Sequence, residues 1–420
     1  MHSLKFIREN LELVKKSIQA KNVEFDIDAF LILDDKRRSL IQVVEEMKAE
    51  RNKVNKEISQ KNDVEKNIES MRSLSTKIKG HDKELSDLLN DINDKLLYIP
   101  NVINDSVPIG DDENSNKIIR EWGEKPVFQF KPKGHLELCE SLGLIDFKRA
   151  VKMSGSGFPL YTNLGAKLER SLIGFMLDMH MSNGYKELLP PFLVTSNSPT
   201  TTGNLPKFKE DMYHIENDDL YCIPTAEVPV TNIFADEVLD EKKFPYKYCA
   251  YSTCFRREAG SYGKDTRGLL RLHQFNKVEL VKFVKPEDSY DQLESLLKDA
   301  EKILQSLNLH YRVVELCSGD LSFSAAKCYD IEVWSPYEKK YLEVSSCSNF
   351  LSFQSRRGNI KYRRSSDNKL DFVHTLNGSG LATPRLMVAL LECYQLDDGQ
   401  IEVPEILIDY LKYSKISNND

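Results

Sequence analysis

Residues 254–280 bring cations and an aromatic ring together in a pattern that suits a phosphate-bearing ligand. The stretch reads CFRREAGSYGKDTRGLLRLHQFNKVEL: a strand-like start, a loop rich in glycine and charge, and a strand-like return. Such an antiparallel pair presents cations such as Arg256 and a ring such as Phe275 on one sheet face. Arginine binds phosphate through paired hydrogen bonds, and a ring can stack on a nucleobase. The residues alone fit a nucleotide site and a solvated charged hairpin equally well.

Three other stretches look like phosphate-binding motifs but lack their context. Residues 152–156, KMSGS, are similar to the KMSKS loop of class I synthetases, yet the partner motif HxGH occurs nowhere in the sequence. Residues 260–266, GSYGKDT, lack the spacing of a P-loop. The GSG triplets at 155–157 and 378–380 lack the third glycine of a dinucleotide fingerprint and are typical of tight turns.

The eight cysteines and eight histidines show no metal-binding spacing. No CxxC pair and no HxxxH pair is present. The sequence therefore predicts no zinc site, and it predicts reduced thiols, several of which serve as small core side chains.

Short β-branched and aromatic runs predict the strands that must position residues 254–280. These runs fall at residues 248–256, 270–284, 311–317, 329–334 and 341–345. A further strand, 185–194, contains Pro190 and Pro191, and helices are predicted at residues 166–181, 287–306 and 384–394. Strands joined by short turns favour an antiparallel sheet flanked by helices, so the fold class is α+β.

The first hundred residues have a different pattern. Between residues 29 and 97 there is no proline, and Gly80 is the one glycine. Apolar residues follow two heptad seams separated by a polar stretch at 59–63, and a shorter amphipathic helix is predicted before them. The first seam comprises Leu33, Leu40, Val44, Met47, Val54 and Ile58, interrupted by Arg37 and Arg51. The second comprises Val64, Ile68, Met71, Ile78, Leu85, Leu89, Ile92 and Leu96, interrupted by Ser75 and Asp82.

Two helices of similar length with a short polar turn predict an antiparallel coiled-coil arm. Pro100 ends the second helix, and the polar residues 101–125 read as a linker. The predicted domains are an arm domain, 1–100, and a second domain, 101–420. By itself the arm fits a dimerisation stalk or spacer better than a binding element. Residues 31–98 carry equal numbers of acidic and basic groups, so the arm is not a general polyanion-binding surface.

Bulk composition restricts the class of protein only loosely. The chain is 40% hydrophobic with a formal net charge of −7, which neither indicates nor excludes a nucleic-acid partner. No apolar stretch approaches the length of a membrane span, and the first twenty residues mix lysines with glutamates. We expect a cytoplasmic protein with no membrane association.

Several strings resemble, in order, the motifs of class II aminoacyl-tRNA synthetases. FRxE followed by RxxxF resembles motif 2, LNGSGLA followed by Arg385 resembles motif 3, and residues 165–191 resemble motif 1. Within the class, FRREAGS, DTRGLLR, HQFNKVEL, TAE at 225–227, GDLSFSAAKCYDIEVW and EVSSCSNFLSFQSRR are similar to the strings of seryl-tRNA synthetases. The resemblance covers essentially the whole chain, including the arm.

The resemblance implies a class II catalytic domain behind the arm and a role for each matched residue. Arg256 and Arg385 are the implied catalytic residues. Serine binding is implied for Thr225, Ala226, Glu227, Arg256, Glu279 and Ser379. ATP binding is implied for Arg256, Arg257, Glu258, Phe275, Glu343, Val344, Ser345, Ser346 and Arg385. Glu343 and Ser346 are the implied Mg²⁺ ligands.

The implied activity is activation of serine with ATP, followed by transfer to the 3′ end of serine tRNA held by the arm. A homodimer is implied as well, and charging of selenocysteine tRNA is left open. Two rivals are a non-catalytic paralogue and a ligase that loads a carrier protein. The presence of Arg256, Glu279 and Arg385 disfavours the first, and the presence of the arm disfavours the second.

One position departs from the family pattern. Pro384 stands before the motif 3 arginine, where the family usually has glycine. Proline suits the first turn of a helix, with Thr383 as its predicted cap, and Arg385 would then lie in that turn. The departure affects the expected shape of the adenine pocket.

Overall fold

The computed structural model describes residues 1–60, 64–259 and 268–418. The chain forms two compact units, Met1–Pro100 and Asn101–Asp420. Most of the predicted polar turn at 59–63 and of the glycine-rich loop at 260–266 lies outside the described residues, as does the side chain of Val64.

The N-terminal unit is helical: α1 (Leu4–Glu9), α2 (Leu11–Ala20), α3 (Ile27–Ser59) and α4 (Val64–Leu96). The single opening helix that the sequence predicts is two helices, which meet at Asn10. The side chain of Asp26 accepts a hydrogen bond from the backbone N–H of Ala29 and so caps α3. Helices α3 and α4 have 33 residues each and are therefore about 50 Å long. They pack as the predicted antiparallel pair.

The first predicted seam is confirmed and the second is partly wrong. Leu40, Val44 and Val54 are buried in α3 as expected. In α4, however, Ile68 and Leu89 are exposed, while two leucines outside the predicted seam, Leu74 and Leu88, are buried. A straight helix turns every 3.6 residues and drifts from a heptad register, so the buried stripe changes phase along α4.

A buried carboxylate fastens α1 to the arm. Asp34, on α3, is almost fully buried and pairs with Arg8 of α1 and, at 2.7 Å, with Arg37. Arg37 interrupts the predicted seam, and its guanidinium neutralises a charge that burial would otherwise disfavour.

The second unit alternates helices and strands. Its helices are α5 (His135–Ser141), α6 (Phe147–Ser154), α7 (Asn163–Ser182), α8 (Asn197–Thr202), α9 (Glu227–Thr231), α10 (Ser289–Ser306), α11 (Phe353–Arg357), α12 (Thr383–Cys393) and α13 (Glu405–Leu411). Its first eight strands are β1 (Lys117–Trp122), β2 (Lys186–Leu188), β3 (Leu193–Thr195), β4 (His214–Ile215), β5 (Leu220–Cys222), β6 (Val238–Asp240), β7 (Tyr246–Phe255) and β8 (Gln274–Val284). The others are β9 (Tyr311–Glu315), β10 (Lys327–Ser335), β11 (Lys340–Asn349), β12 (Lys361–Arg363), β13 (Leu370–Phe372), β14 (His374–Ala382), β15 (Ile401–Glu402) and β16 (Lys415–Ile416).

One large sheet organises this unit. Eight strands run in the order β1-β9-β10-β11-β14-β8-β7-β2. Every neighbouring pair is antiparallel except β2 and β7, which are parallel, so the sheet is mixed at one edge. The predicted strand 185–194 is divided into β2 and β3, because Pro190 and Pro191 intervene.

Residues 101–125 are not a free linker, and that expectation was wrong. Asn101, Val102 and Ile103 are buried, and β1 pairs with β9 at the edge of the large sheet. Polar composition suggested a linker, but an edge strand exposes one side and tolerates such residues.

Helices α7, α10 and α12 cover one face of the sheet with a continuous apolar core. The eight cysteines are free thiols, and six of them are buried. Over the described parts of the chain, no helix is long and apolar enough to cross a bilayer.

Candidate active site

A cavity of about 720 Å³ opens where β7, β8, β11 and β14 meet the start of α12. Many of the residues singled out from the sequence line it: Thr225, Glu227, Arg256, Glu258, Phe275, Glu343, Val344, Ser346, Ser379 and Arg385. Alternation along β8 places Phe275, Lys277 and Glu279 on the same face of the sheet, which explains how a strand presents several polar groups together.

Four predicted residues do not line the cavity. Ala226 is fully buried in the apolar cluster behind it. Ser345 is buried and donates a hydrogen bond to the backbone oxygen of Ser379 at 2.6 Å. Arg257 is exposed, and its backbone N–H donates to the oxygen of Asp211. Glu279 lies just behind the cavity wall, with 1% of its surface exposed.

Arg256 follows the end of β7 and forms one wall together with Phe275. Its Nε donates to the backbone oxygen of Pro224 at 3.3 Å, and its guanidinium lies 5.1 Å from the centre of the Phe275 ring. The backbone N–H of Arg256 donates to the backbone oxygen of His273, and the ring Nδ1 of His273 lies 3.0 Å from the backbone oxygen of Arg256. These bonds join the chain at the end of β7 to the chain before β8. A cation stacked on a ring beside open space suits a phosphate next to a base.

Arg385 also lines the cavity, from the first turn of α12. Pro384 occupies the first turn as predicted. The Nε of Arg385 donates to the backbone oxygen of Leu270 at 3.2 Å, and Nη1 donates to that of Glu343 at 2.9 Å. These two carbonyls hold the guanidinium at the cavity wall.

The predicted capping role of Thr383 is wrong. Ala382 is the N-cap of α12, and no side chain caps it. Thr383 instead donates its hydroxyl to the backbone oxygen of Asn276 at 3.1 Å and to the carboxylate of Glu169 on α7. The amide of Asn276 also donates to Glu169, at 2.9 Å. The hydroxyl thus ties three elements together instead of closing one helix end.

The carboxylate of Glu279 collects three donors. Thr225 Oγ1 donates at 2.9 Å, Asn377 Nδ2 at 3.0 Å and Lys277 Nζ at 2.5 Å. A carboxylate has about four acceptor positions, so one is left for a donor from the cavity side. Sequence reasoning missed Lys277 and Asn377, although each stands two residues before a predicted site residue on the same strand face.

Glu227 opens α9 and lines the cavity beside this cluster. Burial and the nearby charge of Glu279 raise its pKa to about 7. Gln354 Nε2 donates to Glu227 Oε1 at 2.7 Å and opposes that shift. The site thus combines two carboxylates with Lys277 and Arg256, which suits a ligand that carries both an ammonium and a carboxylate.

Glu343 and Ser346 lie on β11, and a third oxygen group faces them from β10. Asp330 pairs with Ser346 in the strand register and lines the same cavity. Burial and the charge of Glu343 raise the pKa of Asp330 well above its ordinary value. These oxygen donors suit Mg²⁺, which binds few protein groups and completes its shell with phosphate and water. In the described residues, no three His, Cys, Asp or Glu side chains form a closed metal cage.

Glu258, after the end of β7, and Arg271, before the start of β8, form an ion pair at the cavity. Arg271 Nη1 lies 2.5 Å from Glu258 Oε2, and Glu258 has φ of 54°. Residues 260–267, which connect them, lie outside the described parts of the chain.

Comparisons with known proteins define the class first. Residues 208–394 match the family described as the tRNA synthetase class II core domain (G, H, P, S and T). A Giardia lamblia prolyl-tRNA synthetase structure aligns over 64% of this chain and 54% of its own, with a TM-score of 0.56 and 18% identity, which shows the fold alone. The fold and the matched core domain are those of a class II aminoacyl-tRNA synthetase.

The arm and the full-length relatives narrow the class to one family. Residues 1–103 match the seryl-tRNA synthetase N-terminal domain. The serine–tRNA ligase of Syntrophobacter fumaroxidans is 52% identical over 416 residues, 98% of each chain. The Pyrococcus horikoshii seryl-tRNA synthetase, solved in complex with ATP, has a TM-score of 0.95 at 38% identity and covers 99% of each chain. The chain belongs to the seryl-tRNA synthetase family.

Proposed function

We propose that this chain activates serine with ATP and transfers the seryl group to the 3′ end of serine tRNA. The observation that carries the proposal is one cavity lined by Arg256, Arg385 and the carboxylate of Glu227, with the carboxylate of Glu279 just behind its wall. The test is serine-dependent ATP–pyrophosphate exchange, followed by charging of serine tRNA. Exchange with alanine or threonine that equalled exchange with serine would contradict it.

Serine activation depends mainly on the alignment of serine with ATP and on neutralisation of the phosphate charge. The serine carboxylate is already nucleophilic, so the protein must hold it against the α-phosphorus while pyrophosphate leaves. Arg256 would meet both the α-phosphate and the serine carboxylate. Arg385, fixed by two carbonyls, meets the distal phosphates. Both act by electrostatic stabilisation in a partly dehydrated cavity.

Mg²⁺ would be held by Glu343 and Ser346, and it would neutralise phosphate charge when bound. Asp330 stands opposite Ser346 and would favour a cation at the same place. Arg385 Nη1 lies 3.4 Å from Glu343 Oε2, so one carboxylate can orient the arginine while serving the cation.

Glu343→Gln should raise the Mg²⁺ concentration for half-maximal exchange by about tenfold, because a hard cation prefers a charged oxygen. The measurement is exchange rate against Mg²⁺ at saturating ATP and serine. Glu338→Gln is the control, since Glu338 does not line the cavity. An unchanged Mg²⁺ requirement in Glu343→Gln would remove Glu343 from the metal site.

Glu279→Gln should raise the KM for serine and reduce the preference for serine over alanine by about 10- to 100-fold. The carboxylate has one acceptor position left for the substrate hydroxyl, and alanine would leave it unpaired. Gln keeps the side-chain volume and an oxygen to which Lys277 can still donate, whereas Glu279→Ala would leave the buried Lys277 with no acceptor at this position. The measurement is kcat/KM for both amino acids, with Tm as the folding control. An unchanged preference would mean that another group reads the hydroxyl.

Residues 1–100 form the proposed tRNA-binding arm domain and residues 101–420 the proposed catalytic domain. Exposed cations on the arm face outward: Lys53, Lys56, Lys66, Arg72, Lys77 and Lys79. Lys48, another sequence candidate, already pairs with Asp82 at 2.9 Å. Double-stranded RNA is recognised by shape and backbone, which suits a long helical pair with dispersed cations.

A homodimer and a cytoplasmic location complete the proposal. The motif 1 segment supports the dimer, since Leu189 is 76% exposed beside the edge strand β2. The free thiols agree with a reducing compartment. Charging of selenocysteine tRNA would follow from the same arm, and the described residues offer no separate support for it.

A further inference from the structure

A buried amide lies behind the serine end of the cavity. Gln354, on α11, is fully buried, and its Nε2 donates to Glu227 Oε1 at 2.7 Å and to the backbone oxygen of Thr202 at 3.3 Å. Both contacts leave from the nitrogen, so the amide nitrogen must face the carboxylate. Gln354 does not line the cavity itself.

A second buried side chain holds the other end of this amide. Thr375, on β14, is fully buried, and its hydroxyl donates to Gln354 Oε1 at 2.7 Å. An amide turned by 180° would place its oxygen against Glu227 and its nitrogen against the hydroxyl. That arrangement would put two acceptors together at the carboxylate. The carbonyl of Thr202 and the carboxylate of Glu227 can only accept, so they set the observed orientation, and the hydroxyl of Thr375 then anchors the amide oxygen.

We propose that Thr375 and Gln354 are positioning residues for substrate selection, which fix Glu227 as the acceptor for the α-ammonium group of the amino acid. The inference rests on the proposed function and adds two residues that never touch the substrate. Glu279 accepts a hydrogen bond from the serine hydroxyl, and Glu227 accepts one from the α-ammonium group. The Thr375–Gln354 pair positions Glu227 and not Glu279.

The charges around Glu227 give the pair a second effect. Burial and Glu279 favour the protonated carboxyl, while Gln354, Lys277 and Arg256 favour the carboxylate. An ammonium group needs the carboxylate form, so kcat/KM for serine should rise as pH increases through about 7. Loss of the Gln354 hydrogen bond favours the protonated form and moves this rise to higher pH.

The test compares two substitutions at one position in the full-length protein. Thr375→Val keeps the shape and removes the hydroxyl, whereas Thr375→Ser keeps the hydroxyl and removes a methyl group. ATP–pyrophosphate exchange is measured from pH 6 to pH 9 for both variants, with the KM for serine, the KM for ATP and Tm. Gln354→Met is the third variant, which removes the amide at similar length.

We expect Thr375→Val to raise the KM for serine by about tenfold, the effect of one lost buried hydrogen bond, and to leave the KM for ATP within about twofold. Its rise of kcat/KM with pH should shift upward, and that of Gln354→Met should shift further. Thr375→Ser should have the KM and pH profile of the parent even if its Tm falls.

Two results would overturn this inference and leave the proposed function standing. One is Thr375→Val with the parent's KM and pH profile. The other is Thr375→Ser and Thr375→Val failing alike, which would make the pair a packing element. If the parent protein itself shows no serine-dependent exchange, the proposed function falls, and this inference falls with it.

Discussion

Arg256→Ala and Arg385→Ala should each reduce serine-dependent ATP–pyrophosphate exchange by at least about a thousandfold, which is the scale of losing a preorganised charge in a transition state. Both guanidiniums line the cavity. Arg256→Ala should raise the KM for serine and the KM for ATP together, because the proposed contacts of Arg256 are with the serine carboxylate and the α-phosphate of ATP. Arg385 should affect ATP far more than serine.

Arg257→Ala is the matched control for these variants. Arg257 is the chain neighbour of Arg256 with the same charge, yet it is exposed and does not line the cavity. Its loss should leave exchange within about twofold of the parent, as for most surface substitutions away from a site. Strong exchange that survived Arg256→Ala, or an equal loss in Arg257→Ala, would contradict the assignment of Arg256.

Removing the outer part of the arm should separate the two half-reactions. Lys36 and Glu84 face each other across the helix pair at 2.9 Å, so deletion of residues 37–83 with a short glycine linker cuts both helices at one level. The buried base residues Phe30, Leu88 and Ile92 remain. Serine activation should stay close to that of the parent, because the cavity is built wholly from residues beyond 200.

Charging of serine tRNA by the truncated protein should fall by orders of magnitude. Contacts between cations and phosphates supply a large share of the affinity of a protein for nucleic acid, so removing several cations at once weakens binding strongly. Both reactions should be measured on one preparation. A full-length variant with Lys53, Lys56, Lys77 and Lys79 changed to alanine is the companion, since it keeps the helices and removes only exposed charge. Near-parental charging by the truncated protein would make the arm a spacer.

The sequence predicted the elements well wherever periodicity decided them. The arm helices and the strands on either side of residues 260–267 lie where the apolar patterns placed them. Periodicity failed in α4, where a heptad repeat and a straight helix of 3.6 residues per turn predict nearly the same buried positions. The heptad pattern assigned Ile68 and Leu89 to the buried seam, whereas Leu74 and Leu88 are the buried residues. Composition also failed for residues 101–125, because an edge strand needs few apolar residues.

The candidate site was predictable through its motifs more than through its contacts. Arg256 and Arg385 could be named from their strings, but the partners that aim them are backbone carbonyls, which no side-chain pattern reveals. Lys277 and Asn377 could have been found from alternation with Glu279 and Ser379. Gln354 and Thr375 could not, since they lie beyond 120 residues from Glu227 in sequence and only the fold brings them to it.

The carboxylate of Glu169 links three segments of this protein through hydrogen bonds. It lies on α7, and it accepts hydrogen bonds from Asn276 of β8 and from Thr383 at the start of α12. A chimera that exchanged one of these segments with a distant class II relative would leave a buried donor or acceptor without its partner. Recombination, natural or engineered, should therefore succeed when the three segments are exchanged as a set.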